Sequence, residues 1–371
     1  MKIVLFTHSL ASDWNHGNAH FLRGVARELL SRGHQVRAWE PAGAWSAENL
    51  VAEAGATALD GWLAAYPALA GVRRVYDPAD VGGALDLALD GADADTLVLM
   101  HEWNDHALVA AAGRRRLTGR FRLLFHDTHH RSVTDPAAMA AYDLSAYDGV
   151  LAYGEAVRQV YLRNGWAARA WTWHEAADER VFRPLPGAPR EGDLVWVGNW
   201  GDEERTEELR EFLLAPVHDL GLRARVHGVR YPEYARQELA EAGIEYAGWL
   251  PNYRAPEAFA RYGATVHVPR RPYVRALPGV PTIRVFEALA CGIPLVSAPW
   301  DDAEGLFTPG EDFLFARDGA EMRARLRDVL CDPALARSLR EHGRRTVLAR
   351  HTCGHRADEL LAIARELGTC P

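Results

Sequence analysis

Pro281-Thr282-Ile283-Arg284-Val285-Phe286-Glu287-Ala288-Leu289-Ala290-Cys291-Gly292-Ile293-Pro294-Leu295-Val296-Ser297 sets two opposite charges into a segment that otherwise reads as interior. It predicts a helix over 283–290. Thr282 stands before it as an N-cap whose hydroxyl accepts a backbone N–H. Gly292 ends the helix in a left-handed turn. Pro294 cannot prolong it, and 295–297 reads as the next strand. Arg284 and Glu287 are three apart, so they share one face near the helix start. A helix N-terminus draws anions. An Arg there, with free N–H groups, suits a phosphate, and a Glu one turn on suits a pair of hydroxyls. A phosphate beside a diol describes a nucleotide.

Outward from this stretch, strand, loop and helix alternate along the whole chain. Strands are predicted at 2–7, 35–39, 96–100, 122–125 and 149–153, with a helix over 19–32 whose apolar positions Phe21, Leu22, Val25, Leu29 and Leu30 keep helical spacing. Continuous apolar strands of this kind fit a parallel sheet covered on both faces. The run Arg183-Pro184-Leu185-Pro186-Gly187-Ala188-Pro189 stops regular structure and reads as a linker. After it the alternation restarts, with strands at 194–197, 223–226, 265–268 and 295–297. Helices are predicted over 204–214, 231–242, 321–330, 333–350 and 355–367. Asp332 and Pro333 open the fourth of these as cap and first residue. The expected fold class is α/β: two doubly wound, Rossmann-like domains. Residues 1–182 form the first, 183–350 the second, and 351–371 a C-terminal helix.

Composition narrows the function classes. The 371 residues carry a formal net charge of −8, which argues against general nucleic-acid binding. Lys2 is the only lysine, so cationic work falls to arginine and histidine. Cys291, Cys331, Cys353 and Cys370 have no metal-ligand spacing, and reduced thiols in a cytoplasm are the simplest reading. The first apolar run is too short for a signal peptide. No window approaches the roughly 20 apolar residues of a membrane span, which leaves peripheral membrane contact open. No Gly-x-Gly-x-x-Gly follows the first strand, which disfavours a dinucleotide dehydrogenase.

The stretch 282–297 resembles the donor-binding segment of group 1 glycosyltransferases of the GT-B fold, and among them the CgeB-like branch, related to family 4. Leu306-Phe307-Thr308-Pro309-Gly310-Glu311-Asp312 is similar to the loop those proteins carry next, and Arg350-His351-Thr352-Cys353-Gly354-His355-Arg356 to their C-terminal signature. The resemblance covers roughly 265–360. It implies two domains facing across a cleft, the last helix crossing back to the first domain, and a nucleotide-diphosphate sugar as co-substrate with no cofactor and no bound metal. It also implies that Glu287 accepts both ribose hydroxyls. Family 4 enzymes carry a second Glu eight positions upstream; this chain has Gly279 there.

Loops at the carboxyl ends of the strands complete the expected site. Gly17 and Asn18 open the first helix beside the donor. Gly198, Asn199 and Arg205 follow the first strand of the second domain, where Arg205 can neutralise a diphosphate. Arg270, Thr282, Ile283 and Arg284 join them, and Leu250, within Gly248-Trp249-Leu250-Pro251-Asn252, packs on the base. His101, Glu102 and Trp103 suit an acceptor sugar or polyol. His126, Asp127 and His129 are the candidate proton-transfer groups. The expected function is transfer of a sugar to a hydroxyl or other nucleophile of a glycan, natural product or other small acceptor. The alternatives are a nucleotide-sugar epimerase or hydrolase of the same fold, or a non-catalytic nucleotide-sugar-binding protein.

Overall fold

Seven parallel strands make the first sheet of the computed structural model, which describes residues 1–369. They are β1 (Lys2–Phe6), β2 (Gln35–Pro41), β3 (Arg73–Tyr76), β4 (Thr96–His101), β5 (Arg122–Asp127), β6 (Gly149–Ala152) and β7 (Ala170–Thr172). Their order is β3-β2-β1-β4-β5-β6-β7. This is the doubly wound order with one strand added, and the chain reverses direction between β1 and β4. Helices on both faces exclude water from β1 and β4, whose buried residues are all apolar apart from His101 at the end of β4 and Thr96, which caps a turn through Asp93.

The second sheet repeats the scheme. β8 (Leu194–Val197), β9 (Ala224–His227) and β10 (Ile244–Tyr246) lie in the order β10-β9-β8, and β11 (Thr265–His267), β12 (Leu295–Ser297) and β13 (Leu314–Phe315) in the order β11-β12-β13. A parallel bridge between Leu194 and Ala264 joins the two sets, which places β8 and β11 side by side at the second reversal point. Leu213, Val226 and Met322 bury one face, and Val195, Phe286 and Leu295 the other.

The chain divides into Met1–Glu175 with the segment from Cys353 onward, and Ala176–Thr352. The division falls before the proline-rich run at 183–189. Ala177 pairs with Thr352, its N–H donates to the His351 carbonyl at 3.0 Å, and Phe182 is fully buried in the second core. The last helix, Cys353–Glu366, belongs to the first unit: it packs on the helix Asn18–Ser31, Arg32 pairs with Asp358 at 2.5 Å, and the Trp173 indole donates to the Arg356 carbonyl.

Several expected boundaries move. The helix predicted over 204–214 starts at Thr206 and runs through a π turn at Arg210–Leu214 into Ala215–Leu220. Pro216 has no N–H to offer the Phe212 carbonyl, and the wider turn absorbs that gap. His126 and Asp127, expected in a loop, are the last two residues of β5. Helices at Trp45–Ala54, His106–Thr118 and Glu155–Arg163 were not anticipated, nor were β3, β7, β10 and β13.

Candidate functional site

In the second unit the site gathers at the ends of β8, β9 and β11 and at the start of the helix Ile283–Cys291. The loops after β8 and β9 nearly touch: a Cβ on Gly228 would lie 2.0 Å from the Gly198 carbonyl oxygen. The Asn199 side chain accepts from the Val229 N–H at 2.9 Å, so it braces the two loops and is not directed outward. Arg205, expected as a phosphate contact, donates to the carbonyls of Val268 at 2.8 Å and Asn199 at 2.5 Å, with its guanidinium over the Trp196 ring. It ties the loop after β8 to the segment after β11. Burial first, then the Arg270 charge, lower its pKa to about 9. It stays protonated at neutral pH, no carboxylate among the described residues lies within ion-pair distance, and its charge acts on the site as a field. Arg270 itself pairs with Glu204 at 2.8 Å.

Asp202 and Glu203 in the same loop both adopt left-handed backbone, with φ of 51° and 66°. Two successive non-glycine residues there cost about 1–3 kcal/mol each. The Asp202–Arg230 ion pair at 2.8 Å helps hold the loop in that form.

The helix Ile283–Cys291 begins after Thr282 and ends at Gly292 in the left-handed region, both at the expected positions. Thr282 makes no side-chain cap bond, however. Its hydroxyl lies 3.3 Å from His267 Nε2, and His267 Nδ1 lies 2.9 Å from Ser297 Oγ. Ser297 spends its proton on the Ala298 carbonyl, so Nδ1–H of His267 donates to Ser297 and Nε2 accepts from Thr282. Burial, then Arg205, lowers the His267 pKa to about 3, which keeps the ring neutral in that tautomer. Thr282 is thus turned inward and the helix start is left open to an anion.

Glu287 is fully buried, and Arg284 donates to its Oε2 and, at 3.2 Å, to Asn252 Oδ1. Arg284, Glu287 and Asn252 form one cluster, with Ile283 buried and Leu250 half-buried. Glu304 was not foreseen. Gly279 has φ 84°, and a Cβ there would meet Glu304 Cγ at 2.7 Å, so a carboxylate from the segment after β12 lies against the glycine that stands where a glutamate was looked for.

In the first unit the candidates meet at the ends of β1, β4 and β5. His101 and His126 touch edge to face at 5.3 Å, His16 approaches His101 at 6.2 Å, and His8 approaches His16 at 5.3 Å. His8 and His16 were missed; no spacing marks two histidines eight apart in a loop. Burial pushes His16 and His101 well below the ordinary histidine range and His126 to about 3. The cluster is therefore neutral. Thr128 gives its proton to Glu102, so His101 Nε2–H donates to Thr128 Oγ and Nδ1 accepts from the Trp103 N–H.

Three candidates take on different work from that expected. Glu102 is fully buried and its oxygens hold the Thr128 N–H and hydroxyl and the Arg131 guanidinium; it anchors the loop after β5. Asp127 accepts from the His129 N–H at 3.0 Å and the Tyr161 hydroxyl at 2.8 Å. Burial, reinforced by Glu102, raises its pKa well above the carboxylate range. His126 packs on Phe21 and Trp173 and is 1% exposed, with Nε2 unpartnered. Of the three proton-transfer candidates, half-buried His129 is the reachable one. It stands against Trp103 at 5.2 Å, and Trp103 is 42% exposed with Arg131 stacked 4.1 Å over its ring.

The loop after β1 is rigidly held. Glu40 accepts from the Leu10 and Ala11 N–H groups, and Arg23 donates to the Leu10 and Ala11 carbonyls and to Asp13 at 2.9 Å. Gly17 has ordinary helical backbone, φ −61°, so its conformation does not call for glycine. Asn18 donates to Glu175 at 3.0 Å and its buried Oδ1 has no partner.

Among the described residues no group of three or more His, Cys, Asp and Glu is arranged to hold a metal, and no helix is long and apolar enough to cross a membrane. Cys291, Cys331 and Cys353 are free thiols; Cys370 lies outside the described residues.

Residues 205–362 match a family model described as glycosyl transferase-like. No curated protein matches the chain significantly. Solved structures match it end to end. A sucrose-phosphate synthase from Thermosynechococcus elongatus superposes with a TM-score of 0.67 at 16% identity, over 99% of both chains. Anabaena HepE, in complex with UDP and glucose, gives 0.66 at 14% identity over 99% of this chain and 100% of that one. A glycosyltransferase from Rickettsia africae gives 0.68 at 11% identity over 99% and 98%. With its parallel sheets and its whole-length likeness to these structures, the chain has the GT-B fold, and its residues 205–362 are similar to the glycosyl transferase-like family.

Proposed function

We propose that this protein is a group 1 glycosyltransferase of the CgeB-like branch, moving a sugar from a nucleotide-diphosphate sugar to a hydroxyl or other nucleophile of a small molecule or glycan. The observation that carries the reading is the buried Glu287 paired with Arg284 at an open helix start. Glu287 accepts the ribose hydroxyls, Arg284 and the helix N–H groups take the diphosphate, and Leu250 and Ile283 face the base. Arg205 and Arg270 add positive potential, and Gly198 and Asn199 shape the loop beside them. This cationic surround supports leaving-group stabilisation without a bound metal or other cofactor. HepE, solved with UDP and with UDP-glucose on the same fold, supports a uridine donor.

On the first unit, His129 serves as the proton-transfer group and Trp103 as an acceptor platform, with His101, His126 and Asp127 setting their positions. Gly17 and Asn18 start the helix at the same strand ends. The net charge of −8 favours a small or glycan acceptor over nucleic acid. The free thiols support a reducing, cytoplasmic setting.

Calorimetric titration with UDP and UDP-sugars tests the nucleotide site. Glu287→Ala removes hydrogen bonds to a charged acceptor worth about 3 kcal/mol, so affinity is expected to fall about 100-fold. Unchanged affinity would sink the assignment.

A further inference from the structure

Four residues on from Glu287, at the C-terminal end of the same helix, Cys291, Gly292 and Ile293 open on a cavity of about 840 Å³ within the second unit. It falls in the size range of small-molecule pockets. Its walls are of two kinds. Pro184, Phe259, Tyr262, Ile293 and Leu348 supply apolar and aromatic surface. Arg340, Arg344 and Arg345, from the helix Pro333–Arg350, supply three guanidinium groups. Residues 340 and 344 are one turn apart on one face, and 345 adjoins them.

These arginines are unusual in this chain. Many guanidinium groups of this chain meet carboxylates, as at Arg116–Asp148, Arg225–Glu191 and Arg270–Glu204. None of the three makes a side-chain ion pair or hydrogen bond among the described residues, and Arg344 Nε is buried with no partner. Glu341 also lines the cavity and pairs with none of them. Arg190, itself 3.6 Å from Asp193, lies near Arg340, whose pKa is lowered by burial and then by that neighbour. Three like charges lining one apolar hollow, in a chain of net charge −8, leave a local field that an anion would relieve.

We propose that this cavity is a second ligand site, for an amphipathic phosphate: an anionic head on Arg340, Arg344 and Arg345, and an apolar body on Pro184, Phe259, Tyr262, Ile293 and Leu348. Guanidinium forks suit phosphate oxygens. Such a head occurs on soluble phosphorylated molecules and on phospholipids. The site shares no residue with the nucleotide cluster and does not depend on it.

Titration of the full chain with decyl phosphate, decanol and inorganic phosphate tests the ligand class. Decyl phosphate is expected to bind saturably, one per chain, at least tenfold tighter than either of the others. The Arg340→Gln/Arg344→Gln variant is expected to lose at least tenfold while its thermal melt stays that of the wild type. Should that variant melt early, Arg345→Gln, at an exposed position, serves instead, with a loss of at least threefold. Co-sedimentation with phosphatidate vesicles, set against phosphatidylcholine vesicles, separates the sources: pelleting on phosphatidate points to a lipid headgroup, and decyl phosphate binding without pelleting points to a soluble ligand. Absence of saturable decyl phosphate binding, equal binding of decanol, or full binding by a folded arginine variant would overturn the proposal.

Discussion

The loop after β1 and the loop after β8 occupy equivalent places in two sheets of the same strand order, and each is braced by an arginine turned inward. Arg23 donates to the carbonyls of Leu10 and Ala11 and to the Asp13 carboxylate. Arg205 donates to the carbonyls of Asn199 and Val268 and meets no carboxylate. The difference sets the electrostatics of each strand-end cluster. In the first unit the charge is cancelled underneath, and the residues above it are neutral histidines and an exposed indole. In the second the charge is left standing beside an open helix start, which suits a diphosphate. One scaffold thus presents a neutral surface suited to hydroxyls and a cationic one suited to a leaving nucleotide, by including or omitting a single carboxylate partner.

The comparison breaks most easily at Arg23. Arg23→Met takes the buried guanidinium away from buried Asp13 and from two loop carbonyls, and a loss of about 3–5 kcal/mol of stability is expected in urea unfolding. Arg205→Met, with only carbonyls released, should cost about 1–3 kcal/mol. Equal losses would show that the carboxylate does not distinguish the two braces. Next in size is His129→Ala, expected to lower kcat about 100-fold with the donor KM little changed. Full turnover in that variant would rule out His129 as the proton-transfer group.

A smaller, graded effect concerns pH. His16, His101, His126 and His267 are all held below the ordinary value of 6.5 by burial, His126 and His267 at about 3. Below pH 6.5 the unfolded chain binds protons that the folded chain refuses, so stability falls with pH down to the folded values, by up to about 1.4 kcal/mol per unit for each ring. Asp127, with its pKa raised, acts in the opposite sense: its contribution is present at low pH and is lost as pH rises through its folded value. His8, His34 and His227 are lowered as well and Asp302 is raised, so seven rings against two carboxyls predict a falling melting temperature between pH 6.5 and 5.5. Five of the seven rings lie in the first unit, so hydrogen exchange should show that unit opening first. A flat melting profile would mean that the cluster is already charged in the folded state.

The two clusters were unequally legible. Arg284, Glu287, Thr282 and Gly292 sit within eleven residues, and helical spacing alone brings them together, so their reading needed no tertiary knowledge. The histidine cluster draws on three strand ends separated by about a hundred residues of chain, and only the sheet order β1-β4-β5 brings His16, His101 and His126 into contact. Glu102, Asn199 and Arg205, expected as ligand contacts, each hold loop backbone, since a buried polar side chain must first satisfy the N–H and carbonyl groups around it.

Periodicity, caps and the proline-rich break determined the alternation of strand and helix, the doubling of the scheme and the nucleotide end of one helix, because each depends on residues close in sequence. The tertiary structure decided which groups keep a charge. His267 is neutral because it is buried and lies near Arg205, and Glu304 reaches Gly279 from the segment after another strand. Arg205 stays uncompensated because only carbonyls reach it. Burial and partner choice are set by elements distant in the chain, and no local pattern of residues encodes them.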